Sequence, residues 1–264
     1  MTPEPVLVET TEGHVRTLRL NRPALANALN QELISALAAA LVAAEQDLDV
    51  WVVIVTGTGT TFCSGGDLKE MAAEDAATNP GRPRQVRPKV STAPNVLQLL
   101  LQMETPVIAA LNGHAVAGGF ELALACDLRV GSEDARFGLP EAKRGMGAAF
   151  GTVVLPRLIP ETVALELLFT GRLIDAAEAQ RLGLLNRVAP ADAVLDVARA
   201  LAEEIGGNAP LTVRRMKANV RAASGQPLSA ALQMDAGPDP YASEDRVEGV
   251  RAFVEKREPR WRNR

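Results

Sequence analysis

The stretch TPVIAALNGHAVAGGFELALACDLRVGSEDARFGLPE, residues 105–141, carries the densest set of structural signals in the chain. Val107–Leu111 is a short apolar run that begins with β-branched residues, which predicts a buried strand, and the Asn-Gly pair at 112–113 is a turn signal. The glycine pair at 118–119 precedes the apolar segment FELALACD, which predicts a short buried helix. A further strand is predicted at Leu128–Val130, so the order is strand, glycine-rich turn, helix, strand.

Gly118 stands at the predicted start of that helix. First-turn amides have no partner inside a helix and carry partial positive charge, and a glycine lets a ligand approach them closely. Glu121 follows about one turn later on the same face. An oxyanion donor and a carboxylate are therefore predicted to share one cavity. The alternative for Glu121 is a carboxylate that only stabilises the start of its helix.

A second glycine turn follows another predicted strand. Val50–Thr56 is a nearly continuous apolar run, which is typical of a strand buried on both faces. The segment SGGD at 64–67 comes after it, where a helix could begin with Asp67 in its first turn. The amide of Gly66 would be a second donor. Two amides from two loops that converge on one carbonyl oxygen make an oxyanion hole.

With these loops in place, the chain resembles the crotonase superfamily, whose best-known members are enoyl-CoA hydratases and isomerases. The resemblance runs from near residue 7 to near residue 260 and is specific because its motifs occur together at this spacing. The matching segments are LNRPALANALN (20–30), FCSGGDLKEM (62–71), PVIAALNGHAVAGGFELALACDLRV (106–130), ARFGLPEAKRG (135–145), FTGRLIDAAEAQRLGLLNRV (169–188) and SEDRVEGVRAFVEKREP (243–259).

The resemblance implies an α/β fold, a crotonase-like spiral of ββα repeats followed by a helical C-terminal trimerisation region. Residues 1–190 would form the spiral core with the acyl-CoA site. Residues 191–264 would be helical and serve oligomerisation, as a homotrimer or a dimer of trimers. Apolar periodicity beyond residue 190 predicts four helices, at Ala191–Gly206, Pro210–Ala223, Pro227–Asp235 and Glu244–Lys256.

The resemblance also implies roles for matching residues. The family's hydratases hold one catalytic carboxylate after the glycine turn and another in a Pro-Glu pair, which here are Glu121 and Glu141, with the amides of Gly66 and Gly118 as oxyanion donors. By itself, Glu141 after Pro140 is an ordinary favourable first-turn residue. The positions that correspond to coenzyme A-binding residues are Ala24, Leu25, Ala26, Ser64, Gly65, Asp67, Leu68, Phe253 and Lys256. The last two would reach the coenzyme A phosphates, in some relatives those of a neighbouring subunit.

Two departures from the family pattern and one irregular segment concern the substrate. Many relatives carry Lys or Arg where this chain has Ala24, so one phosphate contact is absent or is supplied elsewhere. The segment GAAFG at 147–151 replaces a proline and several glycines beside the acyl pocket. Ala72–Ala93 is polar and lacks periodicity, which predicts a weakly ordered surface excursion. The resemblance implies that this excursion covers the acyl pocket, and an inert surface loop is the alternative.

Composition indicates an ordinary globular protein of 264 residues, with 47% hydrophobic and 23% charged residues. The formal net charge of −4 argues against a nucleic-acid partner. No apolar run is long enough to span a membrane, and the N-terminus lacks the pattern of a signal peptide. Two cysteines and two histidines give neither a disulfide pattern nor a metal site. A cytoplasmic location without a membrane partner is the expectation.

Nucleotide motifs are absent from the sequence. GTGTTF at 57–62 has Phe62 where a dinucleotide fingerprint needs its third glycine, and no Gly-Lys-Ser or Gly-Lys-Thr loop occurs. We therefore expect no separate cofactor, because coenzyme A is part of the substrate.

The resulting functional hypothesis is an enoyl-CoA hydratase that adds water reversibly across the C2–C3 double bond of a 2-enoyl-CoA thioester. Glu121 would be the base and Glu141 the proton donor. A carnitinyl-CoA dehydratase or an enoyl-CoA isomerase on the same scaffold is the first alternative. A CoA-ester binding protein without catalysis is the second, and retention of both carboxylates argues against it.

Overall fold

The computed structural model describes residues 4–78 and 95–264. The predicted excursion at 72–93 is described only at its beginning, where residues 72–78 continue a helix instead of forming a loop. The remainder of that excursion lies outside the described residues. No helix within the described ranges is long and apolar enough to cross a membrane.

The strands and helices alternate along the first two thirds of the chain. The strands are β1 Leu7–Glu12, β2 Val15–Leu20, β3 Val52–Gly57, β4 Thr61–Cys63, β5 Val107–Leu111, β6 His114–Val116, β7 Leu128–Ser132, β8 Arg136–Gly138, β9 Ile174–Asp175 and β10 Arg187–Ala189. The helices are α1 Gln31–Gln46, α2 Leu68–Thr78, α3 Val96–Gln102, α4 Gly118–Ala125, α5 Gly151–Leu158, α6 Glu161–Thr170, α7 Ala176–Arg181, α8 Val194–Gly206, α9 Pro210–Ala223, α10 Leu228–Ala231 and α11 Glu244–Glu255. Short 3-10 turns lie at Pro23–Leu25, Pro140–Arg144 and Pro240–Ala242.

Two sheets result from a repeated strand–strand unit. The larger sheet has the order β1-β2-β3-β5-β7-β10 and is parallel except for the β1–β2 hairpin. The smaller sheet has the order β4-β6-β8-β9. Each of the pairs β3/β4, β5/β6 and β7/β8 contributes its first strand to the larger sheet and its second to the smaller one. A helix or 3-10 turn follows each pair, which confirms the implied spiral of ββα repeats.

Helices cover both faces of the larger sheet, so its central strands are buried throughout. All residues of β3 and β5 are buried. Helix α8 packs on one face, where Ala198 and Ala202 lie in one cluster with Ile54 and Ile108. The small alanine side chains let the helix approach the sheet closely. The first helix after residue 190 therefore packs on the sheet of the core, and the predicted boundary at 190 and the oligomerisation role of residues 191–264 stay predictions.

Asp127, directly after α4, joins the last turn of that helix to α9. Its carboxylate accepts a hydrogen bond from the amide of Val107 at 2.8 Å and forms ion pairs of 2.6 Å with Lys217 and with Arg221. The arrangement links the start of β5 and the end of α4 to helix α9. A position just after a short apolar helix thus carries a structural carboxylate.

Four very short strands were not predicted from the sequence. Strands β4, β6, β8 and β9 have two or three residues each, too few to show a periodicity of two. Helix α5 was also missed, because it starts at a glycine and contains Pro156. The helix predicted at Pro227–Asp235 is wrong in length, since only Leu228–Ala231 is helical. The other three C-terminal helices are confirmed to within three residues at each end.

Candidate active site

The two glycine loops follow the paired strands β4 and β6 and lie in direct contact. Gly65 has a φ of +95°, and a Cβ atom placed on it would lie 2.9 Å from Ala117 Cβ and 3.0 Å from Gly118 N. A Cβ atom on Gly118 would be 3.7 Å from Gly66 N. Gly65 is therefore the residue that allows the loops to meet, and it does so because it has no side chain.

The amides of Gly66 and Gly118 are both available for a ligand. Gly66 lies opposite Leu29 in an isolated parallel bridge, whose bonds use the carbonyl of Gly65 and the amide of Asp67. The amide of Gly66 consequently points away from that bridge, and it donates to no acceptor among the described residues. Gly118 is the first residue of α4, where the amide has no partner within the helix. Two free donors thus stand on adjoining loops, as the sequence predicts.

Ala117, immediately before these donors, has a strained backbone. Its φ is +53° and its ψ is −132°, a region that residues with a Cβ rarely occupy. Its amide donates to Gly138 O at 2.9 Å, and its carbonyl accepts from the amides of Phe120 and Glu121. These bonds hold the residue in the conformation that aims the Gly118 amide at the cavity.

We expect the substitution Ala117→Gly to stabilise the protein. Relief of backbone strain contributes about 1–3 kcal/mol, and the greater freedom of glycine in the unfolded chain offsets about 0.4–1 kcal/mol of it. The net gain of about 1 kcal/mol corresponds to roughly 2–4 °C in melting temperature for a chain of this size. Ala115→Gly is the control, because it lies in β6 with ordinary extended backbone, and it should lower the melting temperature. A similar loss in both variants would refute strain at Ala117.

Glu121 is held in one orientation by the start of α5. Its Oε1 atom accepts hydrogen bonds from the amides of Phe150 at 3.1 Å and Gly151 at 2.8 Å. A Cβ atom on Gly151 would lie 2.4 Å from Leu139 Cδ1 and 3.4 Å from Glu121 Oε1, so a larger residue here would displace the Leu139 side chain. Sequence analysis missed Phe150 and Gly151 as functional residues. The glycine in GAAFG was the available signal, and it was noted only as a departure beside the acyl pocket.

Glu141 lies in the 3-10 turn after β8 and is almost fully buried. Only 7% of the residue is exposed, and its Oε2 atom is buried without a hydrogen-bond partner among the described residues. Burial raises the pKa of the Glu141 carboxyl above its ordinary value, and the negative charge of Glu121 raises the pKa further. Arg144 opposes the increase. Glu141 therefore retains its proton to higher pH than an ordinary glutamate does.

One cavity of about 670 Å³ brings the predicted catalytic groups together. Gly66, Gly118, Glu121 and Glu141 all line it. The predicted coenzyme A-binding residues in its lining are Leu25, Ala26, Ser64, Asp67 and Leu68. Among the lining residues that the sequence did not single out are Lys69, Met71, His114 and Arg144.

The remaining predicted binding residues lie elsewhere. Ala24 is in the 3-10 turn that precedes the lining residues, and Gly65 lies behind the wall at the contact between the loops. Phe253 and Lys256, on α11 and at its C-cap, are absent from the lining of this cavity within the described chain. Phe253 is 86% exposed. Their contact with the coenzyme A of a neighbouring subunit stays a prediction.

The Asp67 carboxylate forms hydrogen bonds within the protein that hold the second glycine loop. It accepts a hydrogen bond from Arg22 at 3.0 Å, and its other oxygen accepts from the amide of Lys69 at the start of α2. The hydrogen bond with Arg22 is the main cause that lowers the pKa of Asp67. The carboxylate thereby joins Arg22, before the lining residues Leu25 and Ala26, to the second glycine loop.

Comparison with known proteins gives the same family from sequence and from structure. The family model described as enoyl-CoA hydratase/isomerase matches residues 10–264. A 2,3-dehydroadipyl-CoA hydratase of Escherichia coli is 37% identical, over 98% of this chain and 99% of the relative. A carnitinyl-CoA dehydratase of Citrobacter koseri is 38% identical, over 97% of each chain.

The fold comparison agrees with the sequence comparison. The crystal structure of an enoyl-CoA hydratase from Mycobacterium tuberculosis superposes with a TM-score of 0.88 at 36% identity, covering 99% of this chain and all of the other. The resemblance to the crotonase superfamily is therefore confirmed. On the family model, the relatives and the shared fold together, the chain belongs to the enoyl-CoA hydratase/isomerase family.

Proposed function

We propose that the protein is a 2-enoyl-CoA hydratase. The observation that carries the proposal is that two carboxylates, Glu121 and Glu141, share one cavity with the free amides of Gly66 and Gly118. A binding protein for CoA esters would need the amides but would have no use for two carboxylates, one of them buried with an unpartnered oxygen.

The two amides would bind the thioester carbonyl oxygen. Addition of water across a conjugated thioester builds negative charge on that oxygen, and preorganised donors stabilise the charge without reorganisation. Loss of one such donor costs about a hundred- to a thousandfold in rate where it has been measured. The groups that the proposal requires here are backbone amides, so side-chain substitution at Gly66 would leave this donor intact.

The two carboxylates would hold the water. Glu121 takes a proton from the water as its oxygen bonds to C3, the C2–C3 π electrons move towards the carbonyl, and Glu141 delivers its proton to C2. The raised pKa of Glu141 supports its role as the proton donor near neutral pH. In the dehydration direction the two residues exchange roles. This chemistry uses no separate cofactor, because coenzyme A enters as part of the substrate.

A dehydration of carnitinyl-CoA would use the same groups. The relative from Citrobacter koseri bears that activity in its name at 38% identity, and the same stabilised enolate would also serve an isomerase. The hydratase is the preferred function because the pair Glu121 and Glu141 can hold a water molecule, whereas isomerisation needs only one base.

The proposed function is tested by the loss of conjugated-thioester absorbance when the protein is mixed with crotonyl-CoA, with crotonobetainyl-CoA measured in parallel. Rapid loss with crotonyl-CoA supports the hydratase. Loss with crotonobetainyl-CoA alone would move the activity to the carnitinyl-CoA reaction. No loss with either, despite tight binding of saturated acyl-CoA, would refute both hydration reactions.

The pH profile of hydration should report Glu141. We expect kcat to fall as the pH rises through the raised pKa of Glu141, because the donor then loses its proton. Since Arg144 lowers that pKa, the substitution Arg144→Gln should move the alkaline limb of the profile to higher pH. Measuring kcat from pH 5 to pH 10 for both proteins checks this. If the alkaline limb of the variant stays at the wild-type pH or moves to lower pH, the assignment of the proton to Glu141 is contradicted.

A further inference from the structure

The segment 146–151, MGAAFG, leads from the 3-10 turn of Glu141 into helix α5 and lies outside the stretches that match the family. Its only large side chains are those of Met146 and Phe150. Met146 lines the catalytic cavity. Phe150 is partly buried and packs against the larger hydrophobic cluster of the core, in which Ala148 is also buried. Phe150 is therefore the large side chain that attaches this segment to the core.

The backbone of the same segment holds Glu121. The amides of Phe150 and Gly151 both donate to Glu121 Oε1, at 3.1 Å and 2.8 Å. Amides at the start of a helix have no partner inside it and carry partial positive charge, so they suit a carboxylate. Because both bonds use Oε1, the other carboxylate oxygen of Glu121 is left for a water molecule in the cavity.

Phe150 is built firmly into the first turn of α5. Its backbone is helical, with φ −78° and ψ −44°, and its carbonyl accepts hydrogen bonds from the amides of Val153 and Val154 at 3.1 Å and 2.9 Å. The amide of Thr152 donates to Ala148 O at 2.8 Å. A ring that is fixed in the core consequently fixes its own amide and the next one. Without the ring, a segment of mostly glycine and alanine has more backbone freedom and fewer contacts to restrict it.

We propose that Phe150 is a positioning residue for hydration: its ring anchors the start of α5 on the core, and the anchored amides keep Glu121 aimed at the water. The inference rests on the proposed hydratase function. A small residue at this position would supply the same amide without the anchor. A misplacement of about 1 Å can cost about a hundredfold in rate, so a side chain that does not touch the substrate can still affect kcat.

The test is steady-state kinetics of crotonyl-CoA hydration by Phe150→Ala. Alanine keeps the amide and favours the helix, so the substitution removes only the ring. We expect kcat to fall by about ten- to a hundredfold. KM should change by less than about threefold, because Phe150 is not part of the cavity lining. Phe150→Leu keeps an apolar group in the core and should regain most of the lost kcat.

Val154→Ala is the matched control. Val154 lies one turn later on α5 and packs against the same cluster, but its amide donates to Phe150 O and not to Glu121. Its truncation should lower the melting temperature while kcat stays within about threefold of wild type. A loss of kcat in Val154→Ala equal to that in Phe150→Ala overturns the proposal, because the effect would then belong to core packing in general.

A double-mutant cycle tests whether Phe150 acts through Glu121. In the Glu121→Gln background, Phe150→Ala should lower the remaining kcat by less than about threefold, because the group that it positions is already lost. A further loss of about tenfold or more in that background overturns the proposal.

Melting temperatures separate failure of this inference from failure of the proposed function. If the wild-type protein does not hydrate crotonyl-CoA, the hydratase function fails. The shift in melting temperature caused by Glu121→Gln should still be at most about half as large in Phe150→Ala as in wild type, since groups that act together are not additive. The same shift should be unchanged in Val154→Ala. Equal shifts in all three backgrounds overturn the anchoring role of Phe150 itself.

Discussion

Glutamine in place of Glu141 should lower kcat for crotonyl-CoA hydration by about a thousandfold, within the range of about 10²–10⁴ typical of general acid–base groups. The amide has nearly the shape of the carboxyl group but has no acidic proton to deliver to C2. KM should change little, because the oxyanion donors and the walls of the cavity remain. Steady-state kinetics with purified protein measures both constants.

The same variant should melt at or above the wild-type temperature at neutral pH. An unfolded Glu141 loses its proton near the ordinary pKa of 4.5, whereas burial keeps the folded residue protonated to higher pH. The stability due to this residue therefore falls as the pH rises from about 4.5 to the folded pKa, and it stays low above that value. Glutamine removes this penalty, so the activity is lost without loss of the fold.

Two further substitutions separate catalysis from general effects of charge. Glu121→Gln should also abolish most of the hydration, although its oxygen can still accept the amides of Phe150 and Gly151. Glu133→Gln changes an exposed carboxylate after β7, outside the lining of the cavity, and should leave kcat unaltered. Full activity in Glu141→Gln would remove it from the mechanism, and full activity in Glu121→Gln would refute the two-carboxylate scheme.

The second large effect is expected for Gly65→Ala. Its positive φ of +95° strains any residue with a side chain, and the new Cβ atom would lie within 3.0 Å of Ala117 Cβ and of Gly118 N. The two loops must then separate, which misaligns both oxyanion donors. We expect a fall in kcat of about a hundred- to a thousandfold, the loss of at least one preorganised donor.

Gly13→Ala is the matched control with the opposite expectation. Gly13 also has a positive φ, +55°, but it lies in the turn between β1 and β2, outside the lining of the cavity, and a Cβ atom on it would meet nothing within 4 Å. Neither loop is disturbed, so kcat should stay within about threefold of wild type, a shift below about 0.7 kcal/mol in barrier. The alignment argument is refuted if the two alanine variants have equal activity.

The local sequence determined those strands and helices whose apolar pattern or glycine signal lies within the element itself. The apolar runs of β3 and β5, the glycine that begins α4 and the periodicity of α9 and α11 each predict their structure, because burial and helix geometry impose a pattern over five residues or more. The family motifs implied the spiral fold, which the structure confirms, and four candidate catalytic residues. These residues now line one cavity, as those motifs imply.

Only the tertiary structure decided how the site is supported. The amides of Phe150 and Gly151 bind Glu121 across 29 and 30 residues of sequence, and no local pattern encodes such a contact. The burial of the Glu141 Oε2 atom without a hydrogen-bond partner likewise depends on segments that are distant in the sequence. The local sequence determined the strands, helices and turns, because periodicity and turn signals involve only neighbouring residues. Contacts between distant segments, which set the pKa of Glu141 and the orientation of Glu121, exist only once the chain has folded.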